Sequence, residues 1–271
     1  HSHSSGEAIN EGSRSITAQV RMEDVLREDA IGLYRELAGG VTTLNILHGS
    51  ANTIGGQNAV VKIRWGLPVD SMLFAGAPPG IKFALGENVR QTNGGQIPGR
   101  AQRYPRTRMG VEELLRDAFT RAREYQTEWK TYADAKATLK KGQAEPIPPK
   151  RDLQLDALVE VLDGKRLVHA HSYRSDEILM LLKVAKDFNF RIASLQHVLE
   201  GYKIAHEIAA AGTGASTVAD NRASQLDAFD AFTALMLDWN RKVNLFRITD
   251  PEEIAVKHYL DSLALPAKVE M

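Results

Sequence analysis

"RLVHAHSYRSDEI", residues 166–178, places two histidines two positions apart at the end of an apolar run, with Arg174, Asp176 and Glu177 just behind them. Successive side chains along a strand point to opposite faces, so His169 and His171 would project together from a strand end. The residues that follow, "SDEILMLLKVAKDF" (175–188), carry acids in the first turn and apolar residues at helical spacing. A strand ending in polar groups and running into a helix is the repeating unit of a parallel α/β fold.

Working outward, further apolar, β-branched runs occur at "GVTTLNIL" (40–47), "AVVKIRW" (59–65), "GIKFAL" (80–85) and "RIASLQH" (191–197). Helical patterns fall at 109–141 and at "EGYKIAHEIAAAG" (200–212), the latter ending on a glycine. Parallel strands with helices outside them are therefore expected over 40–198. "GQAEPIPPKRD" (142–152) reads as a connector, "QTNGGQIPGRAQRYPRTR" (91–108) as a long loop, and "SANTIGGQ" (50–57) as a polar, Gly-rich turn. No internal repeat is visible.

Composition narrows the chemistry. The 271 residues are 43% hydrophobic, with Lys+Arg and Asp+Glu equal at 34 each, so net charge gives no reason to expect nucleic acid or an anionic membrane as partner. No apolar run approaches the roughly 20 residues of a membrane helix. Without cysteine, any metal must be held by His and carboxylates. The opening "HSHSSGE" has no initiator Met and no leader pattern, as expected where the true N-terminus lies upstream or a tag fragment is present, and localisation stays open.

The histidines are placed where chemistry would want them. His1 and His3 are two apart, His169 and His171 end one expected strand, and His197 ends the next. Strand ends of parallel α/β units meet at one face, where imidazoles suit a borderline divalent ion such as zinc. A lone strand histidine is more often a satisfied polar residue, and it is the joint pattern that favours ligands. His48, His206 and His258 lack such context and are expected to be structural or on the surface.

"HSH", "LAGGVTTLNILHGSANTIGGQNAVVKIRWG", "KFALGENVR", "RYPRTRMGVEELLRDAF", "KRDLQLDALVEVLDGKRLVHAHSYRSDEI" and "LQHVLEGYKIAHEIAAAGTGAST" together resemble the amidohydrolase superfamily, in its imidazolonepropionase-like branch, over residues 1–218. The resemblance implies a metal-dependent (β/α) TIM-like barrel, with a small β-domain, that hydrolyses amide, ester or ring C–N bonds. It makes His1, His3, His171 and His197 metal ligands, with zinc the expected ion, and gives Glu87 a metal-binding or catalytic place. It also lets His169 act on substrate or metal, with Asn52, Gln57, Arg108 and Tyr173 as substrate contacts. Arg108 closes a basic stretch with Arg100, Arg103 and Arg106 that suits a carboxylate, although such a run is more often a solvated loop.

The likeness fades at "GASTVAD", and no strand followed by the family's eighth-strand Asp appears in 219–271. The helical patterns at 224–248 and 250–265 instead resemble the N-terminal segment of the ribosomal RNA small-subunit guanine-N7 methyltransferases, through "WNRKVNL", "ITDPEEI" and "KHYLDSLAL". The expected fold is thus an incomplete barrel over 1–218 with a helical appendage over 219–271. Residues 224–271 carry five Lys/Arg against eight Asp/Glu, the wrong sign for phosphate binding. The expected partner is a small-molecule substrate, with self-association through exposed barrel edges. A methyltransferase fragment and a non-catalytic metal-binding scaffold are the alternative readings.

Overall fold

The computed structural model describes residues 9–90 and 103–216, all but the last within a compact unit spanning His1–Ala215. In chain order the elements are α1 (Ile31–Ala38), β1 (Thr43–Ile46), β2 (Ile54–Gln57), β3 (Ala59–Lys62), α2 (Val69–Met72), β4 (Gly80–Ala84), α3 (Glu87–Arg90), α4 (Arg108–Ala137), α5 (Leu153–Leu162), β5 (Leu167–His171), α6 (Ser175–Phe188), β6 (Ile192–Gln196), α7 (Ala205–Ala210) and β7 (Gly214–Ser216). The helical expectations at 224–248 and 250–265, His1, His3, His258 and most of the Gly-rich loop lie outside the described residues.

The main sheet runs β2-β4-β5-β6-β7, with β4, β5 and β6 parallel. Its register determines everything above it. Lys82 pairs with His169 and Ala84 with His171, while Ile81 and Phe83 pair with Val168 and Ala170. One face is therefore apolar and the other carries the polar groups. On β6 the register shifts, because Ile192 faces Val168 but Ser194 faces His169. The extra residue, Ala193, reverses the alternation there. Ser194 and Gln196 thereby join the polar face, while Leu195 and Ile192 stay with the core.

The apolar face packs under α4, α5 and α6. Phe119 of α4 is fully buried at the centre, stacked on Phe190 at 4.4 Å between centroids and close to Phe188 at 5.5 Å and Phe83 at 6.1 Å. Helix α4 starts where Thr107 accepts a hydrogen bond from the Gly110 N–H, and α5 where Asp152 accepts from Gln154 and Leu155. The α5 helix was not among the helices expected from sequence.

Two expectations are corrected. The runs at 40–47 and 59–65 do not join the parallel sheet: β1 and β3 form an antiparallel pair over a small second core containing Leu33, Val61 and Met72. A parallel partnership needs a crossover of a dozen or more residues, and the chain between them is already taken up by β2. "SANTIGGQ" is not merely a turn, since Ile54–Gln57 is the strand β2, antiparallel to β4. Its glycines serve close approach: a Cβ on Gly55 would lie 2.7 Å from His48 Nδ1, and one on Gly56 2.8 Å from the Val20 carbonyl oxygen. Residues 15–21 bond along the free edge of β2, covering it.

Among the described residues the main sheet is open, and no helix is long and apolar enough to cross a membrane. Phe119→Ala is expected to destabilise the protein by about 3–5 kcal/mol, lowering the urea midpoint at an unchanged m-value.

Candidate functional site

The polar face of β4–β6 gathers Lys82, His169, His171, Ser194 and Gln196 towards the C-terminal ends of the parallel strands, where α/β folds build their sites. His197 follows β6 directly. It adopts a left-handed backbone conformation with φ 68°, which is uncommon outside glycine. That turn swings it out of the strand's alternation, and its ring lies 4.7 Å from that of His171. Tyr173 completes the group, edge-on to His171 at 4.4 Å and tilted to His197 at 5.9 Å.

His171 is buried. Its Nδ1 lies 3.0 Å from Ser50 Oγ, and its Nε2 is buried with no hydrogen-bond partner among the described residues. Burial, reinforced by the neighbouring His197 and Lys82, pushes its pKa down to about 3. Burial likewise lowers His169 and His197, with Lys82 adding to both. Near neutral pH the site therefore offers uncharged imidazoles.

A hydrogen-bonded chain crosses three strands. Lys82 Nζ donates to Gln196 Oε1 at 2.8 Å, Gln196 Nε2 donates to Ser194 Oγ at 3.3 Å, and Ser194 Oγ lies 2.8 Å from His169 Nδ1. Lys82 is the residue that sequence reasoning missed. It is only 5% exposed, and burial pushes its ammonium down to about 8. A lysine at an alternating position within the apolar run "GIKFAL", the expected strand before the one that ends in H-x-H, was the available signal.

The other sequence candidates are placed as follows. Glu87 opens α3, ion-paired with Arg90 and, at 3.8 Å, with Arg108. Arg108 Nε donates to the buried Glu177 at 2.7 Å. Asn52 is buried and donates to the Glu11 carbonyl at 2.7 Å and to Thr17 Oγ1 at 2.6 Å, while Gln57 donates to the Ala18 carbonyl at 3.0 Å. Both amides pin the segment that follows the N-terminal residues. Arg103 does the same, donating to the carbonyls of Gly12 and Arg14 at 2.7 and 2.8 Å. His48 is buried and hydrogen-bonded, and His206 is exposed. A hollow of about 370 Å³ lined by Tyr125, Trp129, Arg151 and Asp156 lies between α4 and α5, and it contains no histidine.

Among the described residues no cluster of three or more His, Asp or Glu could hold a metal ion. The donor chemistry nevertheless fits one in part: two neutral imidazoles meet, and one has a buried, unpartnered nitrogen.

Imidazoles and a buried amine thus stand together at the C-terminal strand ends of a parallel sheet, where open α/β folds place their binding sites. Comparison with known proteins finds two likenesses. Over most of its length the chain is homologous to amidohydrolases, and a short stretch is similar to a ribosomal RNA methyltransferase. Amidohydrolase tasK of Hapsidospora irregularis is 31% identical over 207 residues, 72% of this chain and 20% of its own length. The crystal structure of an amidohydrolase from Thermotoga maritima MSB8 matches with a TM-score of 0.66 at 29% identity, covering 77% of this chain and 50% of that one. Ribosomal RNA small subunit methyltransferase G of Desulfitobacterium hafniense (strain Y51) is 48% identical over 46 residues, 17% of this chain and 19% of its own. No family model matches the chain. The chain thus spans about a fifth of the length of these curated relatives.

The buried Lys82 makes stability depend on pH. Below pH 8 the folded and unfolded chains both hold its proton, and folding bears the full cost of burying the charge. Between about 8 and the ordinary 10.5 the folded chain has shed the proton while the unfolded chain keeps it, so stability should rise with pH across that window. Urea midpoints measured across it should increase, and Lys82→Met should remove that increment.

Proposed function

We propose that the chain is a metal-dependent hydrolase of the amidohydrolase type, acting on the C–N bond of an amide or cyclic amide in a small molecule. The observation that carries this reading is the convergence of His171 and His197, with the buried Nε2 of His171 unpartnered. His1 and His3 would complete the ligand set, and Glu87 is a further candidate donor. Covalent reach supports the set: His3 is six residues before Ile9, a tether of at most about 20 Å. The Ile9 carbonyl accepts from the Gly49 N–H at 2.6 Å, next to Ser50, which bonds His171.

A divalent ion, zinc best suited to these donors, would supply an acidified water and an electrophile for the scissile carbonyl. The chain's own residues supply the rest. The uncharged rings of His171 and His197 offer lone pairs rather than protons. Lys82 Nζ gains and loses a proton close to neutral pH, and the Gln196–Ser194 chain links it to His169. Tyr173 packs against both rings, which supports the substrate contact proposed for it.

For the whole chain we propose a partial (β/α) barrel over 1–218 and a helical segment over 219–271 derived from a methyltransferase N-terminus. The short methyltransferase likeness favours that second origin. A positioned carboxylate at the leaving nitrogen contributes about 10²–10⁴-fold, and the sequence of 219–271 shows no strand pattern followed by an Asp to supply it, so we expect this chain alone to turn over slowly.

The purified protein should bind close to one equivalent of zinc by elemental analysis after reconstitution. His171→Ala should weaken binding far more than His206→Ala. Absence of zinc, or equal losses in the two variants, would overturn the metal reading, and binding of S-adenosylmethionine instead would favour the methyltransferase one.

A further inference from the structure

We infer that Ser50 is a positioning residue for His171: its hydroxyl accepts the Nδ1–H of the ring, so that Nε2 presents a lone pair into the site. Ser50 Oγ and His171 Nδ1 are 3.0 Å apart, and Nε2 has no partner among the described residues. An uncharged imidazole carries one proton. On Nε2 that proton would be a buried donor without an acceptor, an arrangement proteins avoid more strictly than a dry acceptor. On Nδ1 it meets Ser50. The Tyr173 and His197 rings pack against His171 at steep angles.

Ser50 can do this because its loop is held on both sides. His48 Nε2 accepts the Glu11 N–H at 2.8 Å, and its Nδ1 lies 2.9 Å from the Gly49 carbonyl oxygen. The Ala51 N–H donates to Asn10 Oδ1 at 3.0 Å, Arg103 donates to the Ala51 carbonyl, and Asn52 is tied to Glu11 and Thr17. The loop 48–52 thus presents its hydroxyl from a fixed frame, outside the strands that carry the histidines. Groups that orient a ligating imidazole in this way set both its tautomer and its ring angle.

What Nε2 receives rests on the metal reading, whereas the tautomer does not, and the test separates the two. Long-range ¹H–¹⁵N correlation spectra of the metal-free full-length chain at neutral pH should show His171 protonated at Nδ1 and bare at Nε2. Ser50→Ala should shift these resonances towards the other tautomer, and Ser50→Thr, which keeps the hydroxyl, should restore them. In zinc titrations Ser50→Ala should lose roughly 10–100-fold in affinity and Ser50→Thr much less. An Nε2–H tautomer in the unmodified chain would overturn the proposal, as would Ser50→Ala with unchanged ring resonances; if Ser50→Ala does not fold, the unmodified chain and Ser50→Thr still decide it. A chain that binds no zinc yet shows the Ser50-dependent Nδ1–H form would remove the metal reading and leave this one standing.

Discussion

The register of three parallel strands is the constraint on which the rest depends. Because Lys82, His169 and Ser194 lie in one row and His171 pairs with Gln196 in the next, every polar group faces away from the phenylalanine core. Side-chain period in a strand is two, so a slip of one residue would drive a lysine and two histidines beneath α4 and lift Phe83 and Val168 out of it. The bulge at Ala193 is part of the same constraint. It lets a strand with an ordinary alternation serve a core on one side and a hydrogen-bonded chain on the other. Core packing and site geometry are here a single energetic fact: the hydrophobic burial that holds Phe119 also fixes which nitrogens meet.

The polar face is costly to maintain. It places a buried amine near three histidines, all of whose charged forms burial disfavours. Such clusters of perturbed groups concentrate at functional sites, where stability is sacrificed for reactivity. Around it the protein is firmly tied: Arg108 to Glu177 and Glu87, and Asn52, Gln57 and Arg103 to the segment after the N-terminal residues. The family resemblance gives Asn52, Gln57 and Arg108 a place as substrate contacts, and the bonds seen here also tie them into the scaffold.

Legibility followed locality. The helix at 175–188 and the strand ending at His171 were readable because period and capping are written into adjacent residues. β2 was not, because its glycines answer to His48 and Val20, which are distant in sequence or belong to another segment. β1 and β3 carried the right strand composition, but composition does not state a partner. For the site, His171 and His197 were visible as strand-end histidines. Lys82 was hidden within an apolar run, and Ser50 gained meaning only when a loop was seen to reach across to another strand.

The left-handed backbone at His197 governs which substitutions there can be interpreted. Most L-residues resist that conformation, whereas Asn and Asp tolerate it at least as well as His. An alanine at this position would remove an imidazole and add backbone strain together, mixing two effects in one measurement. Asparagine would remove the ring while leaving the turn relaxed. Natural variation at this position should accordingly be confined to a few residue types even where the imidazole is dispensable, so restriction to those types is not by itself a sign of ligation.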